Sequence, residues 1–260
     1  MNDYGKNPPL SYNRYLKVPE LLELQETLSE PTSHDELLFI IIHQTYELWF
    51  KQILHEIDGA IRWIDDDRFF RANHAMKVVT AIEEVLVNQI HVLETMAPVG
   101  FLEFREKLNP ASGFQSMQFR EVEFISGIKD ESLMKHFEQD SLATENVKRR
   151  FKESTLADAF WNALSRNGFD VSNESARVRS IVNLLEKPEE NGNLYVLQDL
   201  LIEHDRNIAL WRFHHVVMVE RMLGSKRGTG GSAGAAYLLS TVSKRAFPEL
   251  WQARTELNIP

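Results

Sequence analysis

The sequence contains no cysteine among its 260 residues. This absence excludes disulfides, thiolate metal sites, iron–sulfur clusters and a cysteine nucleophile. A chain without cysteine suits a reducing compartment, and the N-terminus shows no charged segment followed by an apolar one. We therefore expect an intracellular, cytoplasmic protein.

Glycine and proline are also scarce, because twelve glycines and nine prolines together make only 21 of the 260 residues. Few helix breakers favour long helices. The longest apolar run covers residues 37–42, far below the ~20 residues that cross a bilayer. Acidic residues outnumber basic ones, with a net charge of −9, so the surface repels a phosphate backbone or an anionic membrane. We expect no binding to nucleic acid or membrane.

Helical patterns fill the long gaps between prolines. Ser33 and Glu36 form a capping-box pattern, and an apolar helical repeat then runs towards Ile64. A second repeat continues until Pro98 and has its apolar residues at Val78, Ile82, Val85, Leu86 and Leu93. Shorter candidates lie at residues 101–108, 115–126, 145–167 and 173–187, and a last long helix runs from about Leu194 to Gly224.

No useful β alternation accompanies these patterns, so the sequence predicts an all-α fold made of a bundle of long helices. Residues 31–260 read as a single helical domain. Residues 1–30 are polar and rich in tyrosine. We expect them to form an arm that packs on the surface of a neighbouring subunit rather than a domain of their own. Long apolar helices often pair between subunits, so we expect a homo-oligomer.

His43 lies among apolar and aromatic residues of the first long helix, with Phe39 four residues before it and Tyr46 three residues after it. One interpretation is a buried histidine satisfied by a single hydrogen bond. The other is a neutral imidazole that lines a ligand cavity.

His214 and His215 are adjacent on the last long helix and point about 100° apart. In the structural interpretation one of them lies on the surface and the other in the core. In the functional interpretation one of them is a metal ligand. Without cysteine, the most natural centre with a single histidine ligand is haem with a proximal imidazole. His43 could then be the distal residue.

A carboxylate di-iron bundle needs paired Glu-x-x-His elements. None of the nine histidines has a glutamate three residues before it, and HExxH is absent too. This class is therefore disfavoured. His43 with Glu47, and His204 with Glu203, remain as loose metal candidates.

Arg105 shares its helical face with Phe101 and Leu108, where a guanidinium is costly unless it is paired. It is either a structural salt bridge or a bidentate clamp for a substrate carboxylate.

Five of the twelve glycines fall in the eleven residues 224–234, GSKRGTGGSAG. The stretch lacks the Gly-Lys-Ser/Thr of a Walker A loop and does not follow a strand, so neither a P-loop nor a Rossmann motif fits. It is either a plain flexible loop or a mobile loop whose backbone and Thr229 hydroxyl close over a polar ligand.

Several segments together resemble the tryptophan 2,3-dioxygenases. They are SHDELLFIIIHQTYELWFKQILHE, FREKLNPASGFQSMQFR, LWRFHHVVMVERMLGSKRGTGGSAG and, less closely, LSYNRYL. The resemblance implies an all-α protein with a pocket for non-covalent haem b, one per subunit and ferrous in the active form. It also implies a homotetramer that inserts both atoms of O2 into L-tryptophan to give N-formyl-L-kynurenine.

The resemblance also implies roles for individual residues. His215 corresponds to the proximal iron ligand, and His43 to the distal histidine that hydrogen-bonds the indole N–H. Arg105 corresponds to the clamp for the substrate carboxylate, and Phe39 to an aromatic wall beside the indole.

Three further residues are implied to contact the substrate. Thr229 corresponds to a loop threonine that meets the amino-acid end of tryptophan. Tyr12 and Tyr15 correspond to arm tyrosines that reach the site of a neighbouring subunit.

The sequence departs from the family pattern at a few positions. Phe101, a further expected substrate contact, stands where some bacterial members have tyrosine, and Ser11 with residues 13–14 replaces the commoner arm sequence. Three other functions stay open at this point: a haem-dependent indole monooxygenase of the same superfamily, a non-catalytic haem or gas-sensing protein, and a helical interaction protein without a cofactor.

Overall fold

A computed structural model of the protein describes residues 10–137, 141–226 and 234–257, and every regular element in these ranges is helical. The predicted all-α fold is therefore confirmed. The α-helices in these ranges are α1 Tyr12–Leu16, α2 Val18–Leu21, α3 His34–Asp65, α4 Phe69–Leu93, α5 Pro98–Arg105, α6 Met117–Ser126, α7 Ser141–Lys152, α8 Leu156–Arg166, α9 Glu174–Glu186, α10 Gly192–Leu223, α11 Ala235–Thr241 and α12 Pro248–Glu256. Short 3-10 turns lie at Glu106–Leu108, Gly113–Gln115 and Glu131–Phe137.

The core is built on the three long helices, since α4 packs extensively against both α3 and α10. The buried face of α3 repeats every three or four residues, through Tyr46, Phe50, Ile53, Ile57, Ala60 and Ile64. Burying one large apolar side chain of this kind contributes about 1.5–3 kcal/mol. This face fixes how α3 is rotated and therefore which way its remaining side chains point.

The start of α3 differs from the predicted capping box. Ser33 is the N-cap residue, but its hydroxyl donates to the Glu103 carboxylate of α5 at 2.8 Å. Glu36 accepts the backbone N–H groups of Leu28 at 2.7 Å and Ser29 at 3.0 Å. Burial alone would raise the pKa of Glu36, but these hydrogen bonds and that of the Ser29 hydroxyl lower it. The capping-box prediction is wrong because both side chains bind segments outside the first turn.

The candidate helix over residues 145–167 is also wrong as a single element. It is divided into α7 and α8, and the division lies just before Thr155. The Thr155 hydroxyl accepts the N–H of Asp158 at 3.0 Å, and the Asp158 carboxylate accepts the N–H of Thr155 at 2.9 Å. This reciprocal capping box starts a new helix. The predicted end of the last long helix is confirmed, because Gly224 caps α10 with φ 58°.

The C-terminal helices were not predicted, and a buried carboxylate on α10 holds their junction. Asp205 accepts the backbone N–H groups of Ala246 at 2.8 Å and Phe247 at 3.0 Å. It also accepts the indole N–H of Trp251 at 3.2 Å. Asp205 is 2% exposed, so these donors replace the water that a carboxylate otherwise needs. The contact fixes the start of α12 against α10.

Within the described part of the chain, no single helix has both the length and the apolar composition to cross a membrane. The bent pair formed by Phe69–Leu93 and Pro98–Leu108 passes that test only when the two helices are taken together.

Candidate ligand cavity

A cavity of about 270 Å³ opens between α3, α4, α5, α6, α10 and α11. Aliphatic and aromatic side chains form most of its wall, including Phe50, Ile90, Leu93, Phe119, Trp211, Met218, Val219, Leu223 and Leu238. Histidine, arginine and carboxylate groups reach the same space, namely His43, Glu47, Arg105, Arg120, Glu123, Arg212 and His215. An apolar cavity with a few converging polar groups is typical of a small-molecule or cofactor site.

His43 faces this cavity from α3. Its Nδ1 lies 2.7 Å from the carbonyl oxygen of Phe39, and because a carbonyl only accepts, Nδ1 must carry the proton. The acceptor lone pair is therefore on Nε2. Protein atoms enclose the ring although it is open to the cavity, and this desolvation lowers the pKa of His43 despite the Phe39 bond and the nearby Glu47 carboxylate. His43 is a neutral imidazole at neutral pH.

His215 and His214 point in different directions. His215 lines the cavity, whereas the ring of His214 makes an edge contact with that of His91 on α4, with the ring centroids 5.2 Å apart. Burial lowers the pKa of His215 to about 4, and His43 adds to this effect. A neutral imidazole is the form that binds a metal. Of the two adjacent histidines, His215 is the one presented to a cavity ligand.

A row of rings supports His215. Trp211, one helical turn earlier on α10, stacks parallel to the His215 ring at a centroid distance of 5.5 Å and an angle of 1°. The ring of Phe119 on α6 packs against that of Trp211, with the ring centroids 4.8 Å apart. Reading the sequence alone missed Trp211, although its spacing of four residues from His215 predicts a shared helical face.

The residues expected around the substrate form a second group of rings. The Phe39 ring lies 4.1 Å from that of His43 and 5.7 Å from that of Phe101. Phe101 and Arg105 line the cavity from α5, while Phe39 packs behind His43 and Phe101 and is not itself among the described lining residues. The structure therefore brings His43, Phe101, Arg105 and His215 to one cavity.

The other expected contacts are placed elsewhere. Thr229 lies outside the described residues. Tyr12 and Tyr15 lie on α1, where they are 74% and 71% exposed, and neither is among the described residues that line the cavity of their own chain.

The loose metal candidates take other partners. The Glu47 carboxylate accepts the Ser116 hydroxyl at 2.6 Å and the Gln118 amide at 2.8 Å. His204 lies 2.6 Å from Glu83 of α4 rather than pairing with Glu203. Among residues 10–137, 141–226 and 234–257, no three histidine or carboxylate side chains form a cluster able to hold a metal ion.

Residues 112–116 form a wall of the cavity that motif reasoning did not single out. Ser112, Gly113, Phe114 and Ser116 all line it, and they belong to the 3-10 turn and to the N-cap of α6. Their signal was present in the segment ASGFQSM: one serine stands directly before the glycine–aromatic pair and the other two residues after it, and serine is a preferred helix N-cap residue.

These features fit haem. His215 offers one neutral imidazole, and the apolar wall suits a porphyrin face. The cavity also holds the buried guanidinium of Arg120, whose Nε has no hydrogen-bond partner among the described residues, which suits a carboxylate at the edge of the ligand. His215 would hold the iron, and the apolar side chains around it would hold the macrocycle.

Fold and cavity together define an all-helical protein in which two neutral histidines face one ligand site. Sequence comparison then places it among known proteins. The family model described as tryptophan 2,3-dioxygenase matches residues 2–175 and 141–257. The chain is 46% identical over 253 residues to tryptophan 2,3-dioxygenase of Nocardioides sp., covering 95% of each chain. It is 43% identical to that of Herpetosiphon aurantiacus, covering 95% of this chain and 98% of the relative.

Tryptophan 2,3-dioxygenase of Myxococcus xanthus is 37% identical, with 96% of this chain and 90% of the relative covered. These matches cover almost the whole chain. The protein belongs to the tryptophan 2,3-dioxygenase family.

Proposed function

We propose that this protein is a haem-dependent dioxygenase that cleaves the indole C2–C3 bond of L-tryptophan with O2 to give N-formyl-L-kynurenine, the first step of tryptophan degradation by the kynurenine route. Family membership over almost the whole chain supports the reaction. The observation that carries the proposal is that His43, Arg105 and His215 all face one cavity.

His215 is the proposed iron ligand, and Trp211 stacks against it from the preceding turn. Ferrous haem b, held without a covalent bond, supplies the binding and activation of dioxygen when it is present. The apolar residues around the cavity exclude water from that reaction.

His43 orients the substrate. Its Nδ1–H is committed to the Phe39 carbonyl, so its Nε2 accepts a hydrogen bond from the indole N–H. The ring is held on a helix and packs against the Phe39 ring, with the centroids 4.1 Å apart and the planes tilted by 37°, which fixes the direction of that bond. His43 positions the indole and does not bind the iron.

Arg105 holds the other end of tryptophan through its carboxylate. A guanidinium forms two parallel hydrogen bonds with a carboxylate, and Phe101 beside it has no hydroxyl to add a third. Thr229 contributes at the amino-acid end in the same proposal. Two anchored ends place the C2–C3 bond, and such positioning contributes several kcal/mol to catalysis.

We also propose that the protein is a homotetramer and that residues 1–30 act as an arm on a neighbouring subunit, while residues 31–260 form the catalytic domain. Exposed apolar side chains support this arrangement, namely Tyr12, Tyr15 and Leu16 of α1 and Leu10 just before it, because large exposed apolar side chains close together in the chain favour a partner surface. A cytoplasmic location stays a prediction.

The test is an anaerobic spectrum of the reduced, haem-loaded protein with L-tryptophan, followed by air and identification of the product. We expect a spectral change on addition of tryptophan and N-formyl-L-kynurenine after oxygen is admitted. A haem protein that binds oxygen but leaves tryptophan intact would instead be a carrier or gas sensor. An oxygenated indole with only one added oxygen atom would indicate a monooxygenase.

A further inference from the structure

The helix α5, which carries Phe101 and Arg105, begins in close contact with the first turn of α3. The Asp35 carboxylate of α3 accepts the backbone N–H of Ala97, just before α5, at 3.3 Å. A Cβ atom on Gly100 would lie only 2.3 Å from an oxygen of the same carboxylate. The two helices therefore approach so closely that the position requires glycine, and the beginning of α5 is fixed against α3.

Aromatic rings hold the middle of α5 on the next turn of α3. The Phe39 ring lies 5.7 Å from that of Phe101 and 5.4 Å from that of Phe104, measured between centroids. Phe104 is fully buried. Phe39 is also one helical turn before His43 on α3. The segment of α3 on which α5 rests therefore leads directly to His43.

One polar contact completes this docking, and it uses the N-cap residue of α3. Ser33 makes no capping hydrogen bond to its own helix, although serine is a preferred residue for that purpose. Its hydroxyl donates instead to the Glu103 carboxylate of α5 at 2.8 Å, while the carbonyl oxygen of Gly100 is farther away at 3.4 Å. A hydroxyl has a single proton, and the carboxylate is the stronger acceptor. Ser33 thus holds α5 rather than capping α3.

Ser33 is itself held in place by buried neighbours. Its backbone N–H donates to the Ser29 hydroxyl at 2.8 Å, and that hydroxyl donates to the Glu36 carboxylate of α3. Ser29, Ser33 and Glu36 are 8%, 5% and 1% exposed. Buried groups whose hydrogen bonds are all made inside the protein lose them if they move. The Ser33 hydroxyl is therefore presented to α5 from one fixed place.

The position of Glu103 determines that of Arg105, since both belong to the eight residues of α5. Glu103 lies two residues before Arg105, which is the last residue of the helix. A guanidinium makes two parallel hydrogen bonds to a carboxylate only within a narrow geometry. A small displacement of α5 would therefore weaken binding at the carboxylate end of a substrate whose indole is held by His43.

We propose that Ser33 and Glu103 are positioning residues for the substrate carboxylate, because their hydrogen bond docks α5 on α3 and so sets where Arg105 stands relative to His43. Neither is among the described residues that line the cavity. This inference rests on the proposed function, since it requires Arg105 to bind the carboxylate of an amino acid. The preference for L-tryptophan over an indole amine then depends in part on residues outside the cavity.

The experiment compares the dissociation constants of L-tryptophan and tryptamine, which lacks the carboxylate. Both are measured from the shift of the Soret band of the reduced, haem-loaded protein without oxygen. The variants are Ser33→Ala, Glu103→Ala, Glu103→Gln, Arg105→Ala, and Ser33→Ala combined with Arg105→Ala. The matched control Glu106→Ala removes an exposed carboxylate that is even closer in the chain to Arg105. Circular dichroism and urea unfolding check that each variant folds.

We expect Ser33→Ala and Glu103→Ala each to weaken L-tryptophan binding about five-fold, the effect of losing one ordinary hydrogen bond at the carboxylate. Tryptamine binding should change by less than about two-fold. Glu103→Gln should bind both ligands as wild type does, because its amide oxygen still accepts from Ser33, and so should Glu106→Ala. Adding Ser33→Ala to Arg105→Ala should weaken L-tryptophan binding no further. If Ser33→Ala does not fold, the two Glu103 variants carry the test, because their side chain starts from the exposed face of α5.

Equal weakening of L-tryptophan and tryptamine in Ser33→Ala and Glu103→Ala would overturn the inference, since the contact would then only stabilise the cavity as a whole. Unchanged binding of both ligands would overturn it too, as would a further loss of L-tryptophan affinity when Ser33→Ala is added to Arg105→Ala. A different result would refute the proposed function instead: Arg105→Ala that weakens both ligands equally, or a wild-type protein that takes up no haem.

Discussion

The buried pair of Glu83 and His204 gives the sharpest prediction about stability. His204 Nε2 lies 2.8 Å from the Ser126 hydroxyl, which itself donates to the Val122 carbonyl at 2.7 Å. Nε2 must therefore carry a proton, and a further proton lies between Nδ1 and Glu83 at 2.6 Å. Both residues are buried, with His204 1% and Glu83 2% exposed.

Replacing His204 by Leu leaves the Glu83 carboxylate buried without its partner, which costs about 3–5 kcal/mol. Replacing both residues, as Glu83→Met with His204→Leu, removes the stranded charge. The double variant should therefore be more stable than the single variant, although the Ser126 hydroxyl loses a hydrogen bond of about 1 kcal/mol. Urea unfolding followed by circular dichroism measures the free energies of unfolding for this cycle.

The same pair predicts a pH dependence. Burial would lower the pKa of His204, but the Glu83 carboxylate outweighs it and the pKa is raised. Burial also raises the pKa of Glu83. The folded pair thus keeps a proton that the unfolded chain releases above about pH 6.5. Its contribution is complete below that pH and is lost as the pH rises through the folded pKa, at about 1.4 kcal/mol per pH unit.

The difference in stability between wild type and the double variant isolates this contribution from that of other histidines. A difference that stays constant from about pH 6 to about pH 9 would refute the shared proton. A single variant no less stable than the double variant would refute the buried charge.

Three predictions concern the cavity. His43→Ala should slow turnover roughly ten-fold or more, through loss of one hydrogen bond to the indole, while the haem content stays unchanged; loss of haem would instead make His43 a ligand. Arg105→Ala should raise the KM for L-tryptophan by roughly 30-fold or more, and the KM for an indole without a carboxylate far less. Equal increases in the two KM values would refute the assignment of Arg105 to the substrate carboxylate. His215→Ala should be purified without a Soret band and regain one when haem and free imidazole are supplied; a variant that binds haem normally would exclude His215 as the ligand.

Much of the fold could be predicted because its signals are local. The apolar repeat of α3 and the glycine that ends α10 lie within the helices they define, and both predictions are confirmed. The short helices α11 and α12 have no such repeat, and their positions depend on contacts with α10. The local pattern gave a wrong capping-box prediction at Ser33 and Glu36. Their side chains bind Glu103 on α5 and residues 28–29 instead of each other's backbone.

The candidate site divides in the same way. Sequence selected His43, Arg105 and His215, but only the fold shows that they share a cavity. The paired glutamate of His204 is 121 positions away in the chain, so the sequence suggested Glu203 instead. Arg120 and Glu123 gave no distinct signal, since an arginine and a glutamate three residues apart are also typical of an exposed helix.

The buried carboxylate of Asp205 depends on hydrogen-bond donors from residues 246–251 near the C-terminus. Its carboxylate is buried and receives its donors from Ala246, Phe247 and Trp251. A version shortened to end before Ala246 would strand an anion inside the bundle, on the helix that also bears His215. Engineers who trim this protein from its C-terminal side should therefore keep everything through Trp251, even though none of the proposed substrate contacts lies on α12.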